Sequence, residues 1–405
     1  MMSSQSAAAG PAPFRFQSVD PYSGGHGASE RCRSDLSDVG SSNSVAPAHY
    51  SITVTDRDRP KLTPLPDEDD FGRRCLGPFS DHDVLSYLTA AQTGDMTMLQ
   101  EFLAKGMPVD ALCLMFGETG LSKACRMGEL EAARLLCDSG ADINMRTGRY
   151  METPLFVAVR NGRVDIIQFL LERGADLDLG DSRDRKPLML TASMGNPELM
   201  KLLISKGCNL NAFDWRGMFA LHHCFFGYQG QYITSSVTLE CVQVLVEAGA
   251  DMNTPSTDGW TALNLAVGRR LKQVIKYLLL QNCDPGRKGM SVVGEPEKRV
   301  PLYTAVLNKD MQTMKMLLLA GSSCCGSSDI KKTLKEASAD QAEFDAIWAL
   351  LCQPRSFKES CRVAVRDKLR ECDSSGGTRF PQRVESLEIP RALKDFVLLK
   401  ELEDM

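Results

Sequence analysis

The stretch Leu136-Cys137-Asp138-Ser139-Gly140-Ala141-Asp142-Ile143-Asn144 decides the fold, because it returns along the chain. It recurs as Leu171-Glu172-Arg173-Gly174-Ala175-Asp176-Leu177-Asp178 and as Ile204-Ser205-Lys206-Gly207-Cys208-Asn209-Leu210-Asn211. A further copy is Val246-Glu247-Ala248-Gly249-Ala250-Asp251-Met252-Asn253, with shorter echoes at 103–106, 280–285 and 319–322. The glycines at 106, 140, 174, 207 and 249 are separated by 34, 34, 33 and 42 residues. Self-similarity at such a period is the signature of a repeat array, here with one insertion. Each glycine ends a helix in a left-handed cap, a conformation other residues enter with strain. The apolar residues of 164–171 follow helical spacing. One unit cannot bury such a face alone, so seven stacked copies share one elongated core.

The opening of each unit agrees. Thr153-Pro154-Leu155-Phe156-Val157-Ala158 is the clearest copy, and Pro154, Pro187 and Pro301 sit where a missing N–H costs nothing at a helix start. Weaker forms are Lys186-Pro187-Leu188-Met189-Leu190-Thr191-Ala192, Phe219-Ala220-Leu221-His222, Thr261-Ala262-Leu263-Asn264-Leu265-Ala266 and Val300-Pro301-Leu302-Tyr303-Thr304-Ala305. Opening motif and period together resemble the ankyrin repeat, whose units begin Thr-Pro-Leu-His-x-Ala.

Composition sets the limits. The 405 residues are 43% hydrophobic and 24% charged, the balance of a folded globular protein. A net charge of −5 argues against a general nucleic-acid binder. The apolar runs at 242–246 and 277–280 fall far short of the ~20 residues a bilayer crossing needs. The start Met1-Met2-Ser3-Ser4-Gln5 lacks the pattern of a secretory signal, so the fourteen cysteines are expected as reduced thiols in the cytoplasm or nucleus. No Cys-x-x-Cys pair occurs, which leaves no paired ligands for a structural zinc. No metal or cofactor is expected.

The chain divides into four regions. Residues 1–78 are rich in Ser, Gly, Pro and Asp and cannot bury enough surface to offset their chain entropy, so disorder is expected there. Residues 79–328 hold the repeats. Residues 329–352 read as a degenerate helical pair capping the array, with helical apolar spacing over 333–337 and 344–351. Residues 353–405 change character again.

In that last region Ser356-Phe357-Lys358-Glu359-Ser360-Cys361-Arg362-Val363-Ala364-Val365-Arg366 places Phe357, Cys361 and Val365 on one helical face. After Gly376-Gly377, an extended segment around Pro390 feeds a short closing helix in Leu387-Glu388-Ile389-Pro390-Arg391-Ala392-Leu393-Lys394-Asp395-Phe396-Val397. The pair resembles a SOCS box, and repeats followed by such a box resemble the ankyrin repeat and SOCS box family. The first half is similar to the Elongin C-binding motif, with Ser356, Cys361 and Val365 matching and Phe357 standing where Leu is usual. The second half is similar to the cullin-5 motif at Leu387, Pro390, Leu393, Lys394 and Phe396, with Ile389 between them and Glu388 in place of the first proline.

The resemblance implies an all-α protein, an ankyrin-repeat solenoid of about seven repeats with a degenerate cap and a small helical SOCS box. It implies Elongin C with Elongin B, and a cullin-5-type scaffold with its RING protein, as partners. The repeats would then hold a protein substrate for ubiquitin transfer. The alternative is an ankyrin scaffold in which the Phe357, Cys361 and Val365 face only packs back on the last repeat.

Substrate contacts on an ankyrin array fall on its loop fingers and first helices. The finger positions include Arg149, Tyr150, Arg183, Asp184, Arg185, Trp215, Arg216 and Trp260, residue types that often anchor interfaces. Trp215 and Trp260 either meet a partner or pack between adjacent fingers. The nine-residue excess before Gly249 adds a loop at 226–232, whose Tyr228 and Tyr232 are further contact candidates, while 286–298 reads as linker. No catalytic constellation is present: there is no phosphate-cradling glycine loop and no nucleophile elbow. His222-His223-Cys224 suggests a Cys–His pair, but His222 occupies the ankyrin His slot, where it supports loop hydrogen bonds.

Overall fold

A computed structural model of the chain describes residues 79–112, 117–228, 233–286, 300–322, 331, 335, 341–352, 357–371, 380–387 and 389–399. The expected disorder of 1–78 and the linker reading of 286–298 fall, apart from Gly286, outside the described residues.

Helices pair along the chain. They are α1 (Asp81–Thr93) with α2 (Met96–Ala104), α3 (Gly120–Met127) with α4 (Leu130–Asp138), and α5 (Pro154–Arg160) with α6 (Val164–Glu172). Then come α7 (Pro187–Met194) with α8 (Pro197–Ser205), α9 (Ala220–His223) with α10 (Ser235–Ala248), and α11 (Ala262–Gly268) with α12 (Lys272–Leu280). The seventh pair is α13 (Pro301–Leu307) with α14 (Met311–Ala320). After it come α15 (Gln341–Cys352), α16 (Phe357–Glu371), α17 (Phe380–Ser386) and α18 (Arg391–Val397). Among the described residues there is no strand, only the isolated bridges Thr147–Glu152 and Phe213–Phe219 that close two fingers.

The first helices are apolar nearly all round, because each lies between two neighbours and its own second helix. Pro154 to Val159 of α5 are all buried, as are Pro187 to Ser193 of α7. The second helices bury one stripe: Ile166, Ile167, Phe169 and Leu170 in α6. Each fully buried Leu, Ile or Phe contributes about 1.5–3 kcal/mol, and the buried apolar residues of the array form one cluster, which begins at Val84 and reaches Leu399.

Local chemistry sets the helix ends. The Thr153 hydroxyl accepts the Phe156 N–H at 3.1 Å, and Pro154 follows in the first turn. Thr153→Ala is expected to lower stability by about 1 kcal/mol, the usual worth of an N-cap, read as a lower urea midpoint with an unchanged circular dichroism spectrum. At the other end of the pair, Gly174 turns at φ +84° while the Ala175 N–H returns to the Leu170 carbonyl at 2.9 Å.

Two ladders tie the repeats side by side. In the return loops, the Asn144 side chain accepts the Asp176 N–H, Asp178 that of Asn209, Asn211 that of Asp251 and Asn253 that of Asp284, all at 2.8–3.1 Å. This is why a pair of Asp or Asn residues two apart recurs after Gly140, Gly174, Gly207 and Gly249: its first member shapes the loop and its second receives the next one. In the fingers, the Gly148 N–H donates to Gly117, Ser182 to Tyr150, Trp215 to Arg183 and Thr257 to Arg216, at 2.7–3.2 Å.

Candidate protein-interaction sites

The first site is built on α16. Its residues 362, 366 and 370 recur every four positions; Arg366 and Arg370 reach the array, and Arg362 reaches the box helix α18. Arg366 is completely buried. Its guanidinium donates to the Val397 carbonyl at 2.6 Å and to the Leu279 carbonyl, and lies 4.8 Å from the centre of the Phe380 ring. Leu279 and Val397 stand in the last turns of α12 and α18, where carbonyls lack full helical partners and the dipole favours a cation. One arginine therefore caps an array helix and a box helix together. Burial, followed by the neighbouring Arg370 and Arg362, pulls its pKa down to about 9, which still leaves it cationic at neutral pH.

Neighbouring contacts fix the same face. The Asn282 side chain donates to the Arg366 carbonyl at 3.1 Å, and Arg370 donates to the Asn282 carbonyl at 3.0 Å. Arg362 is buried with its guanidinium 3.9 Å from the Phe396 ring centre. A Cβ at Gly321 would stand 3.1 Å from Val363, which shows how closely α16 approaches the last repeat.

The opposite face of α16 is open. Cys361 and Ala364 are exposed, and Val365 is 40% exposed. Phe357 opens the helix, but its side chain, like the whole of Ser356 and Glu388, lies outside the described residues. Behind it, Phe380, Val384, Val397 and Leu398 form a small separate core with Leu369 and Phe396. Of the second-half residues, Leu393 and Pro390 are exposed, Leu387 and Ile389 half-buried, and Phe396 half-buried beneath Arg362. Sequence alone does not reveal the burial of this arginine face; its one signal there is the four-residue spacing of 362, 366 and 370.

The second site is the row of finger tips. Two of the fingers fold round a buried carboxylate acceptor. Asp181 accepts the Arg183 and Arg185 N–H groups, both at 2.9 Å, and Asp214 those of Arg216 and Met218, both at 2.9 Å. The tips then point outward: Arg149 is exposed, Tyr150 50% exposed and Trp215 66% exposed. Arg183 is half-buried. Arg185 is committed to the buried Asp181 by ion pairing at 2.6 Å, and Arg216 to Asp258 at 2.9 Å. Trp260 is half-buried against the core, so the two finger tryptophans differ in role. In the inserted loop Tyr228 packs against the core, and Tyr232 lies outside the described residues.

His222 holds the third finger to the fourth. Its Nδ1 accepts the Phe219 N–H at 3.2 Å, so Nε2 carries the proton and donates to the Trp260 carbonyl at 2.8 Å. His223 Nε2 lies 3.1 Å from the Asp214 carboxylate. Burial raises the thiol pKa of Cys137, Cys208 and Cys241 to about 11 and that of Cys283 to about 12, and raises Cys224 well above its usual range. Thiols held protonated in this way are poor nucleophiles. No group of three or more His, Cys, Asp or Glu side chains able to hold a metal occurs among the described residues. No described helix is long and apolar enough to cross a membrane.

Comparison with known proteins agrees with this architecture. A model of ankyrin repeats in three copies matches residues 88–181 and 231–333, a single ankyrin repeat matches 184–215, and a SOCS box matches 353–398. The B-cell lymphoma 3 protein homolog of Mus musculus is 30% identical over 149 residues, 36% of this chain. The match spans 30% of that relative's length. With ankyrin repeats leading into a SOCS box, the chain belongs to the ankyrin repeat and SOCS box family.

Proposed function

We propose that the protein is a substrate receptor of an Elongin BC–cullin–RING ubiquitin ligase. The SOCS box recruits Elongin C with Elongin B and a cullin-5-type scaffold, and the repeats hold the protein to be modified. The chain contributes positioning, and the ubiquitin chemistry belongs to its partners.

One observation carries this reading. Arg366 and Arg370 already attach α16 to the array, yet Cys361 and Val365 stay exposed. A helix that served only as a cap would have no use for that apolar pair, and exposed apolar surface of this kind marks a partner site. Ser356, Phe357, Cys361 and Val365 are the Elongin C contacts in this reading. Leu387, Ile389, Pro390, Leu393 and Phe396 form the cullin half, with Leu393 at 51% exposure as its most accessible apolar side chain.

The test is co-purification with Elongin B–Elongin C. The wild type is expected to form a stoichiometric complex. Cys361→Lys/Val365→Asp should weaken it about tenfold or more, the scale of a lost interface anchor, with the helical spectrum unchanged. Failure of the wild type to capture Elongin C would leave an ankyrin scaffold. Leu393→Asp should reduce cullin capture while sparing Elongin C.

A further inference from the structure

We infer that the ridge formed by Arg149, Tyr150, Arg183 and Trp215 receives an extended acidic segment with an apolar anchor. The identification of that segment as part of a ubiquitination substrate rests on the receptor reading above; the surface itself does not.

Geometry is the first support. The Tyr150 carbonyl accepts the Ser182 N–H at 2.7 Å, and the Arg183 carbonyl accepts the Trp215 N–H at 3.2 Å. These bonds hold three successive fingers edge to edge, so the four side chains stand on one stitched row. A ligand crossing the row meets several tips only if it is extended.

Charge is the second support. The basic side chains near the ridge are mostly neutralised at home, as in the ion pairs of Arg185 with Asp181 and Lys186 with Asp184. Arg149 and Arg183 are different: among the described residues, no ion pair or side-chain hydrogen bond holds either guanidinium. The surrounding sequence has the same bias. Fingers and first helices over 117–128, 146–160 and 181–194 carry eight basic against four acidic residues. Second helices and return loops over 129–145 and 163–180 carry eight acidic against three basic. The array thus presents a positive ridge on a protein whose net charge is −5. A negative polypeptide is drawn to this face, and a basic one is repelled by it.

The aromatics supply the third element. Tyr150 and Trp215 expose large rings on the same row, and aromatics together with arginine are frequent anchors of protein recognition. They give an aliphatic or aromatic ligand side chain a place to pack, which a purely electrostatic site would lack. Nucleic acid is disfavoured by the acidic back of the same repeats.

Fluorescence anisotropy of the full chain tests the inference. The probes are fluorescein-labelled peptides in which aspartate and glutamate surround a central leucine, a lysine-based counterpart, and a single-stranded oligouridine. The acidic peptide is expected to bind, more weakly as salt rises, while the lysine peptide does not. Arg149→Glu/Arg183→Glu should reduce that affinity about tenfold, and Trp215→Ala several-fold, as for central interface residues. Arg149→Gln/Arg183→Gln repeats the test with less perturbation if the reversed variant melts early. Elongin C capture is measured on every variant, because its loss from the wild type would sink the receptor reading and leave the ridge intact. Equal binding of the acidic and lysine peptides, preference for oligouridine, absence of peptide binding, or affinity unchanged in both arginine variants would overturn the inference.

Discussion

Arg366→Ala is expected to release the box from the repeats and to lower the stability of the C-terminal region by about 2–4 kcal/mol. The guanidinium donates to Leu279 and Val397, and hydrogen bonds to a charged group are worth about 1.5–3 kcal/mol each. Truncation leaves both carbonyls facing a buried void, although part of the loss is offset because a buried cation no longer has to be desolvated. Hydrogen exchange reads the effect directly. Amides in 357–371 and 391–397 should lose protection while those of α5 to α8 keep theirs, since repeats communicate mainly with their neighbours. Arg366→Lys retains a charge but reaches one carbonyl at a time, and should fall between. Unchanged protection in Arg366→Ala would show that apolar contacts alone hold the box. The functional consequence follows from the geometry. With α16 loosened, the variant should still capture Elongin C through Cys361 and Val365, but the array would no longer be held at a fixed angle to the ligase.

Arg366 also marks where sequence reading stopped. The glycine cadence, the Thr-Pro-Leu openings and the apolar stripe at 164–171 exposed the array because helix caps and periodic burial are local rules, legible residue by residue. The Cys361–Val365 face was legible for the same reason. The arginine face was not, because arginine on an amphipathic helix ordinarily means solvent. Its burial depends on two helix ends, at Leu279 and Val397, brought together from separate parts of the chain. The fingers show the same limit on a smaller scale. Trp215 and Trp260 both lie in fingers, yet the first is largely exposed and the second half-buried against the core. Arg183 and Arg185 are two residues apart, but only the latter brings its guanidinium to the Asp181 carboxylate. Which tip is spent on the fold and which remains for a partner is a property of the neighbouring finger.

Acid should loosen this row at a defined point. Burial holds the His222 imidazole neutral and pulls its pKa from 6.5 to about 4, outweighing the favourable bond to Trp260. The unfolded chain therefore binds a proton that the folded chain refuses. Stability is complete above pH 6.5 and falls as pH drops toward 4, by about 3 kcal/mol from this group at 1.36 kcal/mol per unit. The neighbouring Asp214 acts in a separate window. Its burial alone would raise its pKa, but the His223 bond and charge and the backbone donors Met218 and Arg216 bring it below 3.8. Its contribution is therefore present above that value and lost only at lower pH. Urea unfolding at pH 7 and pH 4.5 separates the two, because of this pair only His222 has its window between those values. Glu152 and Asp110, whose pKa burial raises, act with the opposite sign. His222→Gln should remove most of that pH slope, at the expense of about 1 kcal/mol at neutral pH for imperfect replacement of the bonds to Phe219 and Trp260. An unaltered slope in the variant would move the acid sensitivity elsewhere. Because the His222 bond reaches from the third finger to the fourth, amides around Trp215 and Trp260 should be the first in the array to exchange as the pH falls.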